Sequence, residues 1–196
     1  MQGKLFSVVL SFGLVLAASA LAQSRDANWQ QCAHGSPDLV IGACTAIIQS
    51  GGETDQNLAR VFTNRATGYN RTGQVDLAIG DLSQAIRLDP TYAIAIKLRG
   101  DLYGGKRRYD LSEADYNRAI QLNPNDGGAW GGRALAYFSE DRFDLAIQDC
   151  NRAILLNPND ALSYDIRGIS KQQTGDAAGG AADIARARQL DPNLPQ

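Results

Sequence analysis

Apolar residues recur at helical spacing along most of the chain after residue 58. Phe62, Ala66 and Tyr69 lie at i, i+4 and i+7, which places them on one face of a helix. A second helix is predicted by the same spacing at Ala78, Leu82 and Ala85. The intervening segment 70–74 contains Asn, Thr and Gly and is typical of a turn. The pattern therefore predicts a helical hairpin.

This hairpin pattern returns every 34 residues, and a proline marks each copy: Pro90, Pro124, Pro158 and Pro192. Each proline is preceded by Leu two positions earlier and by Ala five positions earlier. The proline ends the second helix, because the residue before a proline avoids the helical region. A hairpin of this size cannot bury its own apolar face, so each copy must stack on its neighbours.

These columns resemble the tetratricopeptide repeat, in which a large residue, a small residue and Tyr are followed by Ala, a large residue, Ala and Pro. The resemblance spans Ala59 to Leu194 and implies an all-α fold, a right-handed α-solenoid of stacked helical hairpins. The four predicted units are residues 59–92, 93–126, 127–160 and 161–196. The last unit departs from the pattern at Lys171 and Gly180. We expect it to be the least stable, since a glycine inside a helix costs about 1 kcal/mol relative to Ala.

A degenerate copy of the second helix precedes the four units. Residues 39–48 parallel residues 77–86, and a short first helix is predicted near residues 27–33. We expect residues 23–58 to form an N-terminal helical cap that stacks on Phe62.

The N-terminus has the layout of a cleavable secretory signal. Lys4 precedes an apolar run from Leu5 to Leu16, and small residues follow at Ala20 and Ala22. Cleavage is predicted after Ala22, so residues 1–22 would be a signal peptide and the mature protein periplasmic or secreted, in contact with the membrane only during export. The alternative is an uncleaved anchor, because the uncharged stretch 5–24 approaches the roughly 20 residues that span a bilayer.

Export would favour a disulfide among the three cysteines. Cys32 and Cys44 lie close together before the repeats, whereas Cys150 occupies a predicted core position. We therefore predict a Cys32–Cys44 bridge, adding roughly 3 kcal/mol, and a free, buried Cys150. Cysteine-containing caps of this kind also occur in secreted bacterial tetratricopeptide proteins, which the sequence resembles. A metal site is the poorer alternative, since the spacing is wrong and His34 is the only histidine. No metal or cofactor is expected.

Two charged columns repeat through all four units on the predicted packed faces. Arginine stands 25 residues before each proline, at Arg65, Arg99, Arg133 and Arg167. Aspartate stands nine residues before it, at Asp81, Asp115, Asp149 and Asp183. Charges in such places need partners, so we predict structural Arg–Asp pairs between packed helices. A ladder of anion-binding sites is the alternative.

The resemblance implies that the first helices line a concave groove that holds a peptide or a partner helix. The predicted groove positions are Arg60, Thr63, Thr67, Ile94, Lys97, Asp101, Gly128, Gly131, Leu135, Phe138, Leu162, Asp165, Ile169 and Gln172. Glycines leave the third unit bare at its first turn, at Gly127, Gly128, Gly131 and Gly132. Apolar residues mark the far end, at Leu135, Phe138, Ile166 and Ile169. We expect an apolar or helical partner. The alternative is that these residues pack within the array or against a further C-terminal helix.

Composition and motifs exclude most other functions. The formal net charge is −2, which offers no general attraction for nucleic acid. No phosphate-binding glycine loop or catalytic constellation is found, so the sequence predicts a non-enzymatic scaffold that binds another protein or peptide in the cell envelope. The alternative is a self-assembling structural protein, a homo-oligomer formed through an uncapped C-terminal end.

Overall fold

The computed structural model describes residues 24–194, in which ten helices and no strand are found. The predicted signal peptide, residues 1–22, lies outside the described residues. The described residues divide into two compact units, 24–90 and 91–194. In each unit, consecutive helices pack as antiparallel hairpins, which confirms the predicted all-α class of stacked helical hairpins.

The first unit contains four helices: α1 (24–34), α2 (Pro37–Ser50), α3 (Asp55–Arg71) and α4 (Val75–Leu88). Helix α3 packs against both α2 and α4. The hydroxyl of Thr54 accepts a hydrogen bond from the backbone N–H of Asn57 at 3.2 Å, a side-chain cap that fixes the start of α3.

The second unit contains six helices: α5 (Ala93–Gly105), α6 (Tyr109–Leu122), α7 (Gly127–Ser139), α8 (Phe143–Leu156), α9 (Ala161–Gln173) and α10 (Ala177–Leu190). Each helix packs on the next, and the alternate helices α5, α7 and α9 also contact one another in sequence. Aspartates cap three of these helices by accepting backbone N–H bonds: Asp126, Asp160 and Asp176. These caps satisfy N–H groups that have no partner inside the helix.

The 34-residue period extends to the backbone of the hairpin turns. A residue with positive φ closes each turn: Gly73 at 77°, Arg107 at 58°, Asp141 at 58° and Gly175 at 97°. Left-handed backbone is the conformation that glycine adopts without steric cost. Two of the four turns nevertheless have a residue with a side chain, Arg107 or Asp141, in this conformation. The packing of the surrounding hairpin therefore maintains the turn geometry.

The core of the first unit surrounds a disulfide between Cys32 and Cys44, with an S–S distance of 2.09 Å. Val61 of α3 packs into this cluster, together with Val40 and Ile47 of α2. The sequence predicted Phe62 at this contact. Phe62 is only half-buried, and the guanidinium of Arg65 lies 5.4 Å from its ring centroid.

The core of the second unit lies between α7, α8 and α9, where Ala134, Tyr137, Cys150 and Ile166 form one cluster. Cys150 is fully buried and free. Ile166 is only 3% exposed, so its assignment to the apolar end of the groove was wrong. Its side chain packs between helices and offers no surface to a partner.

Candidate functional site

The structure brings the two charged columns together within each hairpin. Every arginine donates two hydrogen bonds to one aspartate, from Nε and from Nη2, at 2.6–2.8 Å. The pairs are Arg65–Asp81, Arg99–Asp115, Arg133–Asp149 and Arg167–Asp183. The two parallel bonds match the planar guanidinium to the carboxylate. The hydrogen bond that each arginine donates to its carboxylate raises the pKa of the guanidinium, although burial works against it.

A third hydrogen bond, which sequence reasoning missed, joins Arg65, Arg133 and Arg167 to the preceding hairpin. The Nη1 group donates to Thr45 Oγ1 from Arg65 at 3.0 Å, and to Asn151 Oδ1 from Arg167 at 2.7 Å. Arg133 bonds to Asn117 in the same way. The two asparagines stand seven residues before the repeat prolines, which was the available signal. With these partners, the guanidinium groups of Arg65, Arg133 and Arg167 are hydrogen-bonded within the fold.

Lys171 stands in the last unit where the other units have a tyrosine, and it forms an ion pair of its own. Lys171 of α9 places Nζ 2.8 Å from Asp183 Oδ2. Burial opposes ionisation of Asp183, but hydrogen bonds and charge from Arg167 and Lys171 outweigh it and hold the pKa of this carboxyl below its usual value. The lysine therefore replaces aromatic packing with a second cation on the same carboxylate.

A cavity of about 460 Å³ opens on the second unit between α5, α7 and α9. It collects five of the predicted groove residues: Asp101, Gly128, Gly131, Leu135 and Leu162. Leu135 is 41% exposed and Leu162 is 46% exposed. Exposed apolar side chains beside a cavity are typical of binding sites.

The floor of the cavity depends on a close contact between α6 and α7. A Cβ atom at Gly132 would overlap the Tyr116 ring, so glycine is required for this approach. Tyr116 is 4% exposed, and its hydroxyl donates to Asp101 Oδ1 at 2.6 Å. Burial and the negative charge of Asp101 raise the pKa of Tyr116, which keeps the phenol a neutral donor. Sequence reasoning did not identify Tyr116 as a residue of this cavity.

The charged groups in the cavity lining are both carboxylates. The side chain of Asp101 is 41% exposed, and Lys97 Nζ lies 3.6 Å from its Oδ2. Asp160 caps α9, and its Oδ2 accepts a hydrogen bond from Ser163 Oγ at 2.5 Å. Within residues 24–194, no lysine, arginine or histidine is part of the lining of this cavity.

The other predicted groove positions lie outside this cavity. Phe138 and Ile169 line a second, more open cavity of about 570 Å³ with Phe143. In the first unit, Thr67 lines a small cavity of about 140 Å³ beside the disulfide. The remaining side chains are exposed or half-buried: Arg60, Ile94, Lys97, Asp165 and Gln172.

Thr63 corrects the predicted groove. Its side chain was expected to face outward, but it is only 4% exposed. The reason is local, since the Thr63 hydroxyl turns back to the helix and donates to the Ala59 carbonyl at 2.8 Å. Thr63 therefore offers no polar group to a partner.

Residues 24–194 contain neither a metal-binding cluster nor a membrane-spanning helix. No group of three or more His, Cys, Asp or Glu side chains there is arranged to hold a metal ion. Within the same range, no helix combines the length and the apolar character needed to span a bilayer.

Solved structures with the same fold cover nearly the whole chain. "MamA RS-1 ArsTM double mutant" aligns over 87% of this chain and 94% of its own, with a TM-score of 0.75 and 16% identity. "MamA MSR-1 C2" aligns over 87% and 96%, with a TM-score of 0.70 and 21% identity. "Crystal structure of MamA protein" aligns over 89% and 96%, with a TM-score of 0.72 and 20% identity.

Sequence comparison identifies the repeats themselves. No curated protein matches the chain. Two family models described as "Tetratricopeptide repeat" match residues 98–126 and 128–160, which lie within the second and third predicted units. Residues 98–160 therefore contain sequence matched by the tetratricopeptide repeat, and the chain shares its fold with the solved structures above.

Proposed function

We propose that the chain is a non-enzymatic scaffold that binds a segment of another protein in the cavity of residues 91–194, in the cell envelope. The observation on which the proposal depends is the cavity between α5, α7 and α9, where Leu135 and Leu162 remain exposed on a rigid helical frame. Helical hairpins hold such residues in fixed positions, so little conformational entropy is lost when a partner docks.

The chemistry of the cavity supports binding rather than catalysis. Ser163 donates to Asp160, a carboxylate that also accepts a backbone N–H at the start of α9, so the Ser163 hydroxyl and its partner are part of a helix cap. The raised pKa of Tyr116 makes the phenol a poor acid at neutral pH. His34 is the only histidine in the chain, and it lies in the first unit, where it lines a different cavity.

Export is supported by two independent features. Residues 1–22 have the charge, apolar run and small residues of a cleavable signal. The Cys32–Cys44 disulfide suits an oxidising compartment. Mass spectrometry of the exported protein should find an N-terminus at Gln23, and an intact Met1 would refute cleavage.

Affinity capture with matched variants tests the groove. The mature protein and its Leu135→Arg and Leu155→Arg variants are immobilised and exposed to an envelope extract. Leu155 is 68% exposed on α8, outside the cavity lining, so it controls for the added charge. Proteins captured by the wild type should remain on Leu155→Arg and be lost on Leu135→Arg. Equal capture by all three proteins would contradict binding in the cavity.

Self-assembly is the second proposed function. Five alanines of α10 are exposed to solvent: Ala177, Ala178, Ala181, Ala182 and Ala185. A helix face that carries only small side chains would allow a helix of a second copy to approach closely. Sedimentation velocity over a hundredfold range of concentration tests this proposal, and a single monomeric species throughout would remove it.

A further inference from the structure

We infer that the cavity between α5, α7 and α9 selects a peptide segment in which a lysine or arginine adjoins an apolar side chain. This inference rests on the proposed function, and it names the chemistry of the partner. The size of the cavity, its apolar surface and the sign of its charges support it.

The size and surface of the cavity favour a few apolar side chains. A volume of about 460 Å³ lies within the roughly 300–1,000 Å³ of sites for small ligands. A whole helix, about 10 Å across, would not enter it. Leu135, Leu162 and Ala136 supply apolar surface, while Gly128 and Gly131 leave the backbone of α7 open to close approach. The site therefore fits the side chains of a short segment.

The charges of the lining favour a cation beside those apolar groups. Among the described residues, the charged members of its lining are Asp101 and Asp160. Lys97, whose Nζ lies close to Gly128, is the cation that pairs with Asp101 at 3.6 Å. Two carboxylates therefore face one cation. An acidic partner would be opposed by like charge, whereas a lysine or arginine would be attracted.

Asp101 is the residue best placed to receive the partner's cation. Its side chain is 41% exposed, so an approaching cation can reach it. Tyr116 donates to Oδ1 and fixes the orientation of the carboxylate, yet each carboxylate oxygen can accept more than one hydrogen bond. Asp160 accepts a hydrogen bond in the cap of α9. It therefore attracts the partner's cation through its charge more than through a direct hydrogen bond.

Fluorescence anisotropy with four labelled peptides of equal length tests the inference on the mature protein. Their central sequences are Lys-Leu-Leu-Lys, Gln-Leu-Leu-Gln, Glu-Leu-Leu-Glu and Lys-Ser-Ser-Lys. The first should bind about tenfold more tightly than the second, which corresponds to about 1.4 kcal/mol. The third and fourth should bind more weakly than the second. The preference for lysine over glutamine should shrink as salt is raised.

Two variants test whether the preference for lysine-containing peptides arises at Asp101. Asp101→Asn keeps an acceptor for Tyr116 and should reduce the ratio of the affinity for Lys-Leu-Leu-Lys to that for Gln-Leu-Leu-Gln several-fold. Asp144→Asn, at an exposed site on α8, is the matched control and should change neither value. Circular dichroism melts verify that both variants remain folded.

The outcomes separate this inference from the proposed function. If the acidic peptide binds as tightly as the basic one and Leu135→Arg abolishes both, the cavity binds peptides and the inference is overturned. If Asp101→Asn leaves the lysine preference intact, the inference is also overturned. If no peptide binds, the inference fails, while the capture experiment decides the proposed function independently.

Discussion

Arg133 of α7 and Asp149 of α8 form a bidentate ion pair, with Nε 2.7 Å from Oδ2 and Nη2 2.8 Å from Oδ1. The side chains are 16% and 7% exposed. The Arg133 guanidinium lies 5.0 Å from the ring centroid of Trp130 and 5.6 Å from that of Tyr137, within the range of cation–π contacts. The charge is thus removed from water but is supported by a carboxylate and two aromatic rings.

Removing one partner should be costly. We expect Arg133→Ala to lower the free energy of unfolding by about 3–5 kcal/mol, because Asp149 would be left as an unpaired buried carboxylate. The measurement is urea unfolding followed by circular dichroism. Arg186→Ala, at an exposed site on α10, is the control and should change stability by less than about 0.5 kcal/mol. An unfolding midpoint for Arg133→Ala equal to that of the wild type would show that the pair contributes nothing.

The hairpins and the ion pairs could be predicted from the sequence, because the fixed 34-residue period allows equivalent positions of the four units to be compared. Arginine 25 residues and aspartate nine residues before each proline leave few geometries for a packed hairpin. The helix ends follow from local signals such as Asp126 and Asp160 at the start of α7 and α9. These features depend on spacing along the chain and need no knowledge of distant contacts.

The cavity was less predictable, because its shape depends on how side chains from different helices pack against one another. Glycine at position 132 suggested a bare surface, but the Tyr116 ring fills that place. Thr63 has the spacing of an outward-facing residue, yet it is buried. Val61 and Phe62 are adjacent and both apolar, so composition could not decide which one packs on the disulfide cluster.

Acid should destabilise the last hairpin through Asp183. The pKa of this carboxyl is lowered in the folded state, so its stabilising contribution is complete above the unfolded value of about 3.9. That contribution is lost as the pH falls through the folded value. We expect the free energy of unfolding to fall below about pH 4, and to fall less in Lys171→Met, which removes one of the two cations. Urea titrations at pH 7, 4 and 3 compare the two proteins, and parallel losses would contradict a contribution from Lys171.

The cysteines should show a fixed pattern of reactivity. Burial raises the pKa of the Cys150 thiol to about 12, and the thiolate is the reactive form. A native, non-reduced sample should therefore give no reaction with a thiol reagent at pH 8. Unfolding in guanidinium should reveal one thiol, and prior reduction should reveal three. Two or more thiols in the unfolded, non-reduced protein would mean that the Cys32–Cys44 bridge is absent.

The bridge should stabilise the first unit. Replacing both cysteines, as Cys32→Ala with Cys44→Ala, should cost roughly 3 kcal/mol, since the disulfide closes a short loop in the unfolded chain. Cleavage by a protease in the exposed Gly51-Gly52 segment should accelerate in the double variant. Reduction of the wild type should have the same effect, whereas reduction of the double variant should have none. Equal cleavage rates before and after reduction of the wild type would contradict this role.

Substitution of Gly180 distinguishes the effect of helix propensity on stability from the effect of packing. Propensity alone favours Gly180→Ala by about 1 kcal/mol, which agrees with the expectation that glycine weakens the last hairpin. In the structure, however, a Cβ atom at this position would lie 2.6 Å from the Gly168 carbonyl oxygen and 2.6 Å from Gln172 Cγ. The carbonyl belongs to the backbone of α9 and cannot move aside without separating the two helices. We therefore expect Gly180→Ala to be destabilising by about 1–3 kcal/mol, the range for overpacking. Ala181→Gly, at an exposed site on α10, is the control for propensity and should cost about 1 kcal/mol. Thermal melts decide between the two effects, and a higher melting temperature for Gly180→Ala would show that propensity outweighs the close approach of α9 and α10.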